Sequence, residues 1–162
     1  MSYRIEALPA EPFAPLFALS KAELEARSIR RMRVTAKSRI PCHVSLQEAQ
    51  PGETVLLLNH EHQPAKSPYR ASHAIYVPEG ARQAAPFVGA VPAPLQARLI
   101  SLRPFDKADM MQGPEVVEGG QLYAALRALF AERDDIAYVQ LHYAKAGCFA
   151  ATAWPEPSPP RT

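Results

Sequence analysis

Hydrophobic positions along the chain follow two rhythms. In GQLYAALRALFAERDD, Leu122, Ala125, Leu126, Leu129 and Phe130 recur every three or four residues, which puts them on one stripe of a helix. A stripe of this kind packs on a core. A shorter helix is expected to begin after Ser20 and run to about residue 27, because Ser20 and Glu23 have the spacing at which a hydroxyl and a carboxylate satisfy the free amides of a helix start. Elsewhere the period is two, or the apolar residues run together in short segments bounded by Pro or Gly. These segments predict strands at 32–36, 42–46, 54–60, 73–77, 98–103, 136–143 and 148–154. In TVLLLNH both alternating sets are apolar, Leu56 and Leu58 against Val55 and Leu57, as in a strand covered on both faces. The fold class expected is α+β: a mixed or antiparallel sheet of short strands with two helices packed on it. Leu122, Leu126 and Leu129 are expected to lie against a sheet whose central strand is 54–60.

The segment YVQLHYAKAGCFAATAW reads as two strands and a short turn. With Lys145 and Ala146 in a type I turn and Gly147 left-handed, the loop has three residues and His142 opposes Ala150. Tyr138, Gln140, His142, Cys148, Ala150 and Thr152 then share one face. Val139, Leu141, Tyr143, Phe149, Ala151 and Ala153 share the other, which is the core face. The first face would hold a thiol diagonal to an imidazole, a pairing that permits Cys148 as nucleophile and His142 as base. An even-numbered loop would separate them.

At 162 residues the chain fits one domain, expected over 1–154, with a proline-rich disordered tail at 155–162. Folding at this length buries ~70% of the unfolded surface, so a core forms without staples. The formal charge of +2, from 18 Lys+Arg against 16 Asp+Glu, gives no strong field, and neither nucleic acid nor a membrane is expected as a partner. The cluster Arg27, Arg30, Arg31, Arg33, Lys37 and Arg39 is interleaved with apolar residues and reads as a solvated face. No run approaches the ~20 apolar residues of a membrane span, and MSYRIEALPAEPF lacks the apolar core of a signal peptide. The location expected is cytoplasmic, where Cys42 and Cys148 stay as thiols.

Candidate chemistry concentrates in LLLNHEHQPAKSPYRASHAIYV, which holds His60, His62 and His73. Residues two apart share a face of an extended strand, and H-x-H is a spacing that metal sites use. Here Ala65, Lys66 and Ser67 follow instead of a carboxylate, and a lysine opposes a metal cation. No metal and no cofactor is therefore expected. His73 can join the pair only if the QPAKSP loop folds it back. Arg70, Arg98 and Arg103 flank strands and can grip a carboxylate or phosphate through the guanidinium fork, with Tyr69 and His62 beside them. EVVEGGQ looks like a glycine-rich helix start, but Glu115 and Glu118 would repel a phosphate. No nucleophile elbow, phosphate loop or dinucleotide fingerprint occurs. Three classes of function follow: a domain binding a small anionic ligand, a Cys148/His142 enzyme, or a non-catalytic interaction domain, with a homo-oligomer compatible with each.

The stretches PCHVSLQEAQPGETVLLLNHEHQPAKSPYRASHAIYV, RLISLRPF and LHYAKAGCFAA, in this order, resemble the bacterial family catalogued as domain of unknown function twelve hundred and three. The resemblance spans residues 39–153. It implies no activity, substrate, cofactor or catalytic residue.

Overall fold

The structure, a computed structural model, describes residues 2–156. In chain order its regular elements are β1 (Ser2–Glu6), α1 (Lys21–Ala26), β2 (Arg30–Arg33), β3 (Thr54–Gln63), β4 (Ala71–Pro78), β5 (Phe87–Val88), α2 (Ala93–Gln96), β6 (Leu99–Asp106), β7 (Glu115–Glu118), α3 (Leu122–Glu132), β8 (Ile136–Tyr143) and β9 (Phe149–Glu156). The strands form two antiparallel sheets, one of six strands in the order β5-β1-β9-β8-β6-β7 and one of three in the order β2-β3-β4. The α+β expectation holds, with three helices among the described residues rather than two. α2 spans only four residues, too short to show a helical period.

α1 begins as the sequence predicts. Ser20 Oγ accepts from the Glu23 amide at 3.3 Å, and the Glu23 carboxylate accepts from the Ser20 amide at 2.7 Å. α3 buries Leu122, Leu126 and Phe130, while Leu129 is half-buried at the edge of the stripe. This face packs on the six-stranded sheet, against Tyr3, Ile5, Ile100, Leu102, Val139 and Leu141. The helix therefore does not lie on the sheet of β3, as expected, but on the one containing β8 and β9.

β3 is nonetheless central, between β2 and β4, and its first half is covered on both faces. Leu56 and Leu58 join Phe13, Leu24, Ile29, Val44, Ile75 and Val77, while Val55 joins Val34, Ile40 and Ala49 in a separate cluster. The apolar alternation was a sound guide to burial; it carries no information about which neighbour supplies the cover.

Residues 42–46 correct the strand prediction. The Cys42 thiol accepts from the amides of Val44 at 3.4 Å and Ser45 at 3.1 Å, and Leu46 takes a left-handed φ of 51°. These bonds curl the segment into a turn with a single bridge, Pro41 to Glu48. β1, β5 and β7 were not expected. β9 continues to Glu156, pairing Tyr3 with Pro155 and Ser2 with Glu156, so the first two residues assigned to the tail belong to the sheet. The remainder, 157–162, lies outside the described residues. In EGGQ the first glycine serves packing: a Cβ on Gly119 would collide with the carbonyl of Leu95 and sit 2.6 Å from those of Gln96 and Arg98. Among the described residues no helix is long and apolar enough to cross a membrane.

Candidate functional site

β8 has one apolar and one polar face, and both are buried. Val139, Leu141 and Tyr143 point to α3, while Gln140 and His142, 3% and 0% exposed, point the other way. On that second face the antiparallel register sets Ser101 beside His142, Arg103 beside Gln140 and Phe105 beside Tyr138. The β3–β4 hairpin covers this face and inserts imidazoles into it. His60 pairs with His73, and an irregularity between Glu61 and Gln63 falls at His62. The QPAKSP loop thus folds His73 back onto His62.

His62 Nε2 and His73 Nδ1 are hydrogen-bonded at 2.7 Å, and His62 Nδ1 reaches Gln140 Oε1 at 2.8 Å. Gln140 Nε2 donates to the His62 carbonyl at 3.0 Å, which leaves Oε1 as the acceptor for His62. His142 Nδ1 lies 3.0 Å from the Gly147 carbonyl. Carbonyl oxygens only accept, so in the neutral rings both His62 and His142 carry their proton on Nδ1 and keep a lone pair on Nε2. His73 Nδ1 is then the donor to His62 Nε2. Ligand atoms of His62, His73 and His142 all lie within 4.8 Å of one another. The Phe149 ring stacks on His62 with centroids 5.0 Å apart and 8° between planes.

Burial, reinforced by the Arg103 guanidinium and by the neighbouring imidazoles, pushes His142 down to about 3 and His62 down to about 4. Burial and Arg103 lower His73 as well. All three rings are neutral at pH 7. Arg103 is half-buried, touches Ser101 Oγ at 3.5 Å, and has no carboxylate at ion-pair distance among the described residues.

The remaining predicted site residues are dispersed. Arg70 is exposed and grips Glu61 through bonds of 2.8–3.1 Å. Arg98 pairs with Glu48, donates to the Pro94 carbonyl at 2.9 Å, and lies 5.3 Å over the Tyr143 ring. The three arginines therefore do not converge; each has its own surroundings. Tyr69 is exposed and meets Phe105 edge-on at 6.0 Å. His60, the other half of the H-x-H pair, packs edge-on against Phe13 at 5.7 Å instead of joining the cluster.

The Cys148/His142 pair is not formed. The register begins as expected, with Val139 opposite Ala153, Gln140 opposite Thr152 and Leu141 opposite Ala151, and then slips so that His142 opposes Phe149. The Tyr143 amide donates to the Cys148 carbonyl at 2.9 Å, and the Gly147 amide to the Tyr143 carbonyl at 2.7 Å, which closes a four-residue turn over 144–147. Ala150 is the extra residue that absorbs the slip. In consequence Phe149 faces His142, at 5.7 Å between rings, and Cys148 packs on the α3-side core. Burial raises the thiol's pKa, the reverse of activation. Gly147 does take the expected left-handed conformation, with φ 79°.

Sequence reasoning placed Gln140 on the polar face but missed its role of orienting His62. It also missed that three strands of two sheets bring His62, His73 and His142 together. His73 and His142 lay in predicted strands, 73–77 and 136–143, while His62 fell just beyond the predicted end of 54–60.

Fold and site together define a small α+β protein whose two sheets enclose a polar layer of imidazoles, the carboxamides of Gln63 and Gln140, and a half-buried guanidinium. The chain belongs to the family described as protein of unknown function (DUF1203), which matches residues 39–153. That span contains His62, His73, Arg103, Gln140 and His142 and omits β1. No curated protein and no solved structure matches the chain.

Proposed function

We propose that this protein binds a small carboxylate at Arg103, in the polar layer between the two sheets. The observation that carries the reading is the state of that guanidinium. The other partly buried arginines, Arg4, Arg98 and Arg133, each pair with a carboxylate of the protein, and Arg103 does not. Burial lowers its pKa and is not offset by a partner. A half-buried cation gains most from an anion that the fold itself does not supply, and the planar fork matches a carboxylate in two parallel bonds. Because the adjacent His62, His73 and His142 are neutral, Arg103 and these rings together carry a charge close to +1, which one carboxylate neutralises; a polyphosphate would remain largely uncompensated. Arg70 and Arg98 take no part, since Glu61 and Glu48 already engage them.

The test is thermal unfolding with added acetate, glycolate or inorganic phosphate at constant ionic strength, in the natural protein and in Arg103→Gln. Occupancy at a hundred times Kd stabilises a fold by about 2.7 kcal/mol. A carboxylate-specific rise in Tm in the natural protein that vanishes in Arg103→Gln is the outcome expected. Equal responses in the two proteins, or none, would remove the reading.

A further inference from the structure

We infer that His62, His73 and His142 form a binding site for one divalent transition-metal ion of the zinc type, with coordination positions left open beside Arg103. Three ring nitrogens come from β3, β4 and β8, so the set is held by two sheets rather than by one loop. A tetrahedral ion with metal–nitrogen bonds of about 2.0–2.1 Å needs its ligand nitrogens roughly 3.4 Å apart. The present contacts bracket that value. His62 Nε2 and His73 Nδ1 stand at 2.7 Å, and all three ligand atoms fall within 4.8 Å.

The outer hydrogen bonds are those a metal site requires. Gln140 Oε1 takes the Nδ1 proton of His62, and the Gly147 carbonyl takes that of His142, so both Nε2 lone pairs are fixed in direction. His142 Nε2 also lies 3.4 Å from Gln140 Oε1, too long for a useful bond and between two groups that both lack a proton, so that nitrogen has no donor to satisfy it. On binding, His73 moves its proton from Nδ1 to Nε2, and the His62–His73 hydrogen bond gives way to two metal–nitrogen bonds.

Ligand type sets the class of ion. Three imidazoles with no carboxylate suit zinc, cobalt, nickel, copper or iron, and do not suit magnesium or calcium, which require oxygen. Lys66, which the sequence places near the histidines, is exposed in the β3–β4 loop, whereas the opposing charge that matters is Arg103. A dication beside a guanidinium is relieved by an anion bound to both, so the metal becomes the second anchor of the proposed carboxylate. Only this last step rests on the function proposed above; metal capture by the three rings does not.

The experiment is calorimetry on the full chain, stripped with EDTA, titrated with zinc and with cobalt in chloride buffer without carboxylate. One ion per chain is expected, with visible absorption from cobalt in a low-coordinate nitrogen site. His142 is fully buried and its replacement can disturb folding, so the primary variants are the half-buried positions, His73→Gln and His62→Gln. Each should weaken binding at least about tenfold, the lower range seen when even an outer-shell partner is lost. His60→Gln, outside the cluster, should leave it unchanged. Binding below one ion per two chains, or affinity unaltered in His73→Gln, would overturn the inference. Arg103→Gln separates the two proposals: it should bind metal no less tightly while losing acetate. If the natural protein responds to acetate through Arg103 but takes up no metal, this inference alone fails; if it takes up metal but ignores acetate, the carboxylate reading alone fails.

Discussion

The two faces of β8 are buried to nearly the same degree and made of opposite materials. Toward α3, Val139 and Leu141 meet Ile100, Leu102, Leu122 and Leu126, and burial there lowers free energy by roughly 25 cal/mol per Å² of apolar surface. Toward the β3–β4 hairpin, the same strands turn Gln140, His142 and Arg103. Polar groups buried there cost free energy unless each finds a partner, and Gln140 spends its whole carboxamide on His62. The first face supplies the apolar burial that drives folding. The second buries polar groups that folding alone does not call for, which is the physical ground for seeking function there.

Leu126→Ala breaks the apolar face and carries the largest expected effect, a loss of about 2–5 kcal/mol from missing transfer energy and a residual cavity. Leu126 is 0% exposed and central to the helix stripe. Urea unfolding with a loss under about 1 kcal/mol would mean that α3 does not anchor the sheet.

Buried imidazoles, His142 on the polar face and His43 against Tyr143, should declare themselves through pH. In the unfolded chain an imidazole takes up its proton near pH 6.5, whereas His142 is pushed down to about 3 and the equally buried His43 to about 4, both chiefly by burial. Between these values the unfolded state binds more protons than the fold, so stability is fully present above pH 6.5 and falls as pH drops toward 4. The slope is roughly 1.4 kcal/mol per pH unit for each imidazole inside that window. Denaturant midpoints at pH 7, 6 and 5, with EDTA present, should fall in that order, and the fall should flatten in His43→Phe. Midpoints independent of pH over this range would show that neither ring is buried uncharged.

How much of this contrast is legible without the fold depends on range. α3, the Ser20–Glu23 box and the bounds of β8 follow from spacings of four residues or fewer, and all were readable. β1 and β7 were not, because four or five residues hold too few periods of an alternation to stand out in the sequence. Residues 42–46 misled because a thiol accepting two amides competes with strand pairing. At the site, His62 and Arg103 were recognisable as chemistry, but their meeting with His73 and His142 depends on how one sheet lies over the other. A local pattern cannot encode that. One inserted residue, Ala150, sufficed to exchange Phe149 and Cys148 between the two faces.

The turn that sets this exchange can be tested directly. Gly147 has φ 79° and no atom within 4 Å of where a Cβ would stand, so Gly147→Val introduces backbone strain without a clash. The expected cost is roughly 1–2 kcal/mol, the penalty for a side chain in the left-handed region. A loss much larger than this in urea unfolding would reveal contacts at the turn that the present geometry does not contain.

The smallest effect is the sharpest test of which face Cys148 occupies. A thiol beside a histidine lone pair loses its proton more readily and is alkylated faster; a half-buried thiol packed on an apolar core, as Cys148 is on the α3 side, has its pKa raised by burial and reacts more slowly. The four-residue turn and the extra Ala150 place the His142 ring on the other side of the sheet, against Phe149. Iodoacetamide should therefore modify Cys148 slowly in the native protein, with a rate that rises only toward alkaline pH and is indistinguishable in His142→Gln. Cys42, fully buried, is replaced by Ala so that a single thiol is followed. A rate that drops when His142 is replaced would put imidazole and thiol on one face, restore the three-residue turn, and with it erase the distinction between the two faces at this end of β8.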